Sequence, residues 1–140
     1  MLWQNSGVDM VFDIETDGLD PTKIHVLSFN CGGGTVSISD YEAMVEILDA
    51  AITLVGHNII RYDLPAIEKI LGWKPRPDQQ IFDTLAVSWY INHERGKHSL
   101  ESYGDTYGVP KPKIDDWENL TYEDYSHRCQ EDVKINDRLY

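Results

Sequence analysis

Residues 8–14 read VDMVFDI, a β-rich apolar run that forms a buried central strand, yet it carries Asp13 and leads directly into Glu15. Period-two alternation puts Asp13 and Glu15 on one face of that strand and Phe12 with Ile14 on the other. Two neighbouring carboxylates repel each other unless a cation lies between them. Thr16, Asp17, Gly18 and Leu19 follow as a tight loop that a ligand can approach closely. Taken alone, the D-x-E pair is equally compatible with a strand that has already ended and two solvated acids.

The rest of the chain supplies a sheet around this strand. Residues 24–31 (IHVLSFNC) alternate apolar and polar, and Gly32-Gly33-Gly34 turns them into Thr35–Ile38, which predicts a three-stranded antiparallel meander. Asp40 caps a helix whose Met44, Ile47, Leu48 and Ala51 share one face. Thr53–Gly56 and residues 80–82 are two further short strands. Between them lies a helix with Pro65 in its first turn, a Leu64–Ile67–Leu71 stripe and Gly72 past its end. Asp83 caps a helix bearing Leu85, Ala86, Trp89 and Tyr90, and Ser99 begins another. Residues 121–140 are mainly helical, with Val133, Ile135 and Leu139 as apolar positions. The expectation is one α/β domain over 1–140, a mixed five-stranded sheet flanked by helices.

Composition narrows the function. Twenty-four acidic against twelve basic residues give a formal charge of −12, the opposite of an electrostatic nucleic-acid coat. Metal-dependent phosphodiester enzymes escape that argument, because bound cations carry positive charge to the phosphate. No apolar run is long enough to span a membrane, no basic residue precedes an apolar stretch at the N-terminus, and only Cys31 and Cys129 are present. These features predict an intracellular protein without membrane attachment.

Two more carboxylates stand out. Asp63 follows His57, Asn58 and Tyr62 at the start of a helix, where it is either a site residue or an N-cap. Asp132 lies on the last helix, either in a site, or as a solvated helix position, or as a salt-bridge partner of Lys134 or Arg128. Asp115, Asp116, Glu118, Glu123 and Asp124 read as solvated and carry no chemistry.

FDIETDGL (12–19), HNIIRYD (57–63) and HRCQED (127–132) resemble, in order and spacing, the three sequence blocks of the DEDD (DnaQ-like) superfamily of 3′–5′ exonucleases. IFDTL (81–85), KHSLESYGDTYG (97–108) and CQEDVKIN (129–136) look most like the proofreading domains of phage and bacterial family A DNA polymerases. The resemblance covers nearly the whole chain. It implies an RNase H-like exonuclease fold in which Asp13, Glu15, Asp63 and Asp132 hold two divalent cations, Mg2+ or Mn2+. Hard oxygen ligands suit such ions, and a pair of them can activate a water and stabilise the leaving oxygen of an in-line displacement.

The superfamily divides on its general base, tyrosine four residues before the last Asp or histidine five before it. Here those positions are Arg128 and His127, so the chain resembles the histidine branch, and Tyr125 is the second candidate. On an unbroken helix His127 would point about 140° away from Asp132. It reaches the site only if the helix breaks near Tyr125–Ser126, with Ser126 as the cap. Thr121 with Asp124 signals an earlier start.

The resemblance also places Thr16, Asp17, Gly18 and Leu19 at the terminal nucleotide, with Leu19 as a wedge, and His57, Asn58 and Tyr62 along the strand. Asp83 matches a family position and reads as a helix cap. Arg95, Lys97, His98, Lys111 and Lys113 form the most basic stretch, suited to backbone phosphates or to solvent. The implied activity is release of 5′-mononucleotides from the 3′ end of single-stranded DNA, in phage DNA metabolism or in proofreading with a polymerase partner in trans. An exoribonuclease and an inactive RNase H-like adaptor are the alternatives.

Overall fold

A computed structural model describes residues 9–108 and 120–140. Strand β1 (Asp9–Thr16) sits at the centre of a five-stranded sheet whose order is β3-β2-β1-β4-β5. β2 (Ile24–Asn30) and β3 (Thr35–Ile38) complete the antiparallel meander, with Asp13 opposite Ser28 and Glu15 opposite Val26. β4 (Thr53–Gly56) and β5 (Gln80–Asp83) run parallel to β1 and to each other. The mixed α/β sheet expected from the sequence is therefore present.

Each face of β1 has its own cover. Phe12 and Ile14 enter the main core with Leu27, Phe29 and Leu54, closed by α1 (Tyr41–Ala50) and α2 (Leu64–Leu71) through Met44, Leu48 and Ile67. Complete burial of each such side chain contributes about 1.5–3 kcal/mol relative to exposure. On the other face Val11 packs with Val55 and Val133 of α5 (Tyr122–Leu139). Asp13 and Glu15 share that second face, so they point along α5 rather than into the main core.

α5 corrects one expectation. It runs unbroken from Tyr122, started by a Thr121–Asp124 capping box. The Thr121 hydroxyl accepts from Asp124 N at 3.2 Å, and the Asp124 carboxylate accepts from Thr121 N at 3.0 Å. Ser126 caps nothing: it is buried in the second turn, and its hydroxyl has no hydrogen-bond partner among the described residues. The earlier start wins because its two reciprocal bonds satisfy two otherwise orphaned N–H groups.

Two local features lie outside the expected pattern. Residues 59–63 form a π-helical turn that flows into α2, so Pro65 follows a turn already wound. α3 (Thr84–Ile91) buries its polar Thr84 and Ser88 and exposes Trp89, Tyr90 and Ile91. α4 (Leu100–Tyr107), capped by Ser99, packs on α5 through Leu100, Tyr103 and Ile135. No helix among the described residues is long and apolar enough to cross a membrane.

Candidate metal and nucleic-acid site

The three carboxylates of Asp13, Glu15 and Asp132 offer ligand oxygens that all lie within 4.8 Å of one another. β1 supplies the first two by alternation. α5 supplies Asp132, which is 4% exposed, because Val133 anchors the helix against Val11 and Val55. Such a cluster of hard oxygen donors fits a divalent cation, which would offset their mutual repulsion.

Asp63 adjoins this cluster but is held separately. The N-cap reading fails, since its side chain makes no capping hydrogen bond. Its Oδ2 instead accepts the backbone N–H of Ile14 at 3.3 Å, between the two β1 carboxylates in sequence. Burial pushes the Asp63 carboxyl well above the usual carboxylate range. The charges of Glu15, Asp132 and Asp83 push the same way, against the Ile14 hydrogen bond. A buried acid facing other acids is the electrostatic condition that a bound cation relieves.

Cys129, Asp83 and Gly56, which had no site role in the sequence pattern, hold this geometry together with Asn58. The Cys129 thiol donates to the main-chain carbonyl of Asp13 at 3.1 Å, and burial and that neighbouring carboxylate raise its pKa well above the ordinary thiol value. Asp83 caps α3 by accepting from Leu85 N, and the same carboxylate accepts from Asn58 N at 2.9 Å and Ile60 N at 3.1 Å. Asn58 lies in the left-handed region (φ 63°), which asparagine tolerates better than a branched residue. Gly56 precedes this turn, and a Cβ there would fall 2.2 Å from the Ile59 side chain. The D-x-E alternation and the N-cap pattern could be read locally; these ties between residues distant in sequence could not.

An open cleft of about 530 Å³ contains all four carboxylates together with His57, Asn58, Tyr62, Trp89, His98 and Arg128. A larger recess of about 980 Å³ contains none of the four carboxylates. His57 is fixed rather than poised: its Nε2 donates to His98 O at 2.6 Å, and its Nδ1 meets the Thr84 hydroxyl at 2.9 Å. Trp89 is 54% exposed, with one ring face stacked on buried His98 at 3.9 Å between centroids.

Other expected residues lie elsewhere. His127 is exposed on the unbroken α5 and does not line the cleft. The helical phase that directs Asp132 inward directs His127 outward. Tyr125 faces the larger recess, stacked on His25 at 4.1 Å. Leu19 is 95% exposed and outside the cleft lining. Asp17 is occupied in closing its own loop, where hydrogen bonds from Thr22 hold its carboxyl below the usual range. Thr16 and Gly18 are tied to Tyr62, whose hydroxyl donates to Gly18 O at 2.7 Å and also meets the Thr16 hydroxyl. Arg95 is engaged in the α3–α4 connection, bonding Lys97 O at 2.6 Å and lying over Tyr103, while Lys97 is exposed. Lys111, Lys113, Asp115, Asp116 and Glu118 lie outside the described residues.

No family model and no curated protein matches this sequence. Solved structures do match it. Brucella melitensis NrnC bound to pGG superimposes with a TM-score of 0.76 at 22% identity, over 99% of this chain and 72% of that one. The same protein with bound Mg2+ matches with a TM-score of 0.69 at 21% identity, over 99% and 74%. Escherichia coli RNase D, described as an exoribonuclease involved in structured RNA processing, matches with a TM-score of 0.65 at 17% identity, over 96% and 39%. These likenesses establish the RNase H-like exonuclease fold.

Proposed function

We propose that this chain is a divalent-metal-dependent 3′–5′ exonuclease that releases 5′-mononucleotides from the end of single-stranded nucleic acid. The observation that carries the reading is the convergence of Asp13, Glu15 and Asp132 within 4.8 Å, with buried Asp63 tied in beside them. Those four residues would hold two cations, Mg2+ or Mn2+, which when bound supply Lewis-acid stabilisation for phosphodiester hydrolysis. The Mg2+-bound NrnC structure supports that ion choice.

The chain's own contribution is placement. β1 and α5 hold the carboxylates rigidly, Cys129 and the Ile14 N–H orient Asp13 and Asp63, and Asp83 fixes the turn carrying Asn58. Tyr62 locks the loop of Thr16 and Gly18 beside the cleft, where the 3′-terminal nucleotide would lie. Trp89 offers an open ring face to a base. His127, the general base implied by the resemblance, would need the first turns of α5 to unwind.

DNA is the substrate in this reading, on the strength of the sequence blocks that resemble polymerase proofreading domains. A second reading, RNA, is favoured by the fold's likeness to NrnC bound to pGG and to the exoribonuclease RNase D. Both are tested by incubating 5′-labelled DNA and RNA oligonucleotides of one sequence with Mg2+ or Mn2+. A ladder shortening from the 3′ end, abolished by chelator and by Asp13→Ala, supports the activity, and competition between the oligonucleotides decides the sugar. No degradation of either would favour the inactive adaptor. Action with a polymerase in trans predicts that adding the chain suppresses mismatch extension by that polymerase.

A further inference from the structure

Arg128 is the one lysine or arginine that lines the carboxylate cleft among the described residues. It stands one helical turn before Asp132, so both side chains leave α5 on the same face. Its Nε lies 3.4 Å from Glu15 Oε1, and the two side chains are only 19% and 16% exposed. Of the other basic groups, Lys134 pairs with Glu131 at 3.0 Å, Arg95 braces the α3–α4 connection, and Arg61 and Lys97 are exposed outside the cleft lining. A chain of formal charge −12 thus directs a largely buried guanidinium into the cleft that holds all four carboxylates.

Glu15 belongs to the ligand cluster, so a divalent cation and Arg128 compete for the same carboxylate. A cation on Glu15 weakens the hold on the guanidinium at the place where a nucleic-acid strand must lie. The planar guanidinium fork matches two oxygens of a phosphodiester, and an arginine keeps its charge at every working pH.

We propose that Arg128 is a phosphate-binding residue of the cleft, paired with Glu15 in the metal-free chain and engaging a phosphodiester of the bound strand once a cation occupies Glu15. The inference rests on the nuclease reading above and names the group that receives the substrate's phosphate.

The test compares wild type, Arg128→Gln and Arg128→Lys. Fluorescence anisotropy follows a labelled single-stranded oligonucleotide in Ca2+ across a salt series, with substrate integrity checked on gels. Mn2+ binding is measured separately by titration without nucleic acid. Arg128→Gln is expected to bind Mn2+ at least as tightly as wild type, to bind the oligonucleotide about tenfold more weakly, and to show a salt slope shallower by about one. Arg128→Lys should restore the slope and only part of the affinity. Unchanged oligonucleotide affinity and slope in Arg128→Gln, with a shift only in Mn2+ binding or melting temperature, would overturn the proposal and leave Arg128 as a counter-ion for Glu15. Should Arg128→Gln not fold, Arg128→Lys decides: weaker binding at wild-type slope supports the proposal, and wild-type affinity overturns it. A wild type that neither binds nor cuts any oligonucleotide would instead mark the failure of the nuclease reading.

Discussion

Asp83 accepts the backbone N–H of Asn58 at 2.9 Å while capping α3, so one carboxylate joins the end of β5 to the turn that leads to Asp63. Asp83→Asn keeps the shape but weakens these charge-assisted bonds. It should lower unfolding free energy by about 1–3 kcal/mol in urea titrations. Turnover should fall as Asp63 loses its placement, although all four carboxylates of the cleft remain.

The buried Asp63 carboxyl makes the metal-free chain sensitive to pH. Its folded pKa lies above the unfolded value of about 3.9. Between those two values the folded state holds more protons, so this group's contribution to stability rises as pH falls and levels off below the unfolded pKa. In chelator, Asp63→Asn should therefore be more stable than wild type at pH 7.5, with the difference shrinking toward pH 4. Mg2+ or Mn2+ should raise the wild-type melting temperature more at pH 7.5 than at pH 5, because ligand acids bind cations when deprotonated. Thermal melts across pH check both signs.

His127 is solvent-exposed on an unbroken helix. His127→Ala should keep the rate constant within about twofold of wild type, as a surface change away from the reacting groups. A loss of two orders of magnitude would show that the first turns of α5 unwind during turnover. Single-turnover kinetics on a 5′-labelled oligonucleotide make the measurement.

Trp89 lines the cleft half exposed, and one face of its ring stacks on buried His98. Trp89→Ala should weaken single-strand binding by about 1–3 kcal/mol, the value of stacking one base. Without oligonucleotide, melting temperature should fall modestly as the stack on His98 is lost. Equilibrium binding and thermal melts on the same preparation separate the two effects.

Sequence alone determined the sheet and its acidic face. Alternation along residues 8–16 sends Phe12 and Ile14 one way and Asp13 and Glu15 the other whatever surrounds them, and the turns at Gly32–Gly34 and Gly72 are equally local. Asp63 and Asp132 were legible as candidates because they recur in recognisable blocks, but each also had a local explanation that tertiary structure alone could dismiss. The N-cap reading of Asp63 fell because Ile14 N–H, 49 residues away, takes its oxygen. The inward group of α5 was decided in the same way. Thr121 and Ser126 were competing helix starts, and the capping box at Thr121 winds the helix through both. Val133 against Val11 and Val55 then sets its rotation, which turns Arg128 inward and His127 outward. Periodicity states which residues share a face, but which face meets the cleft depends on contacts between segments far apart in the chain.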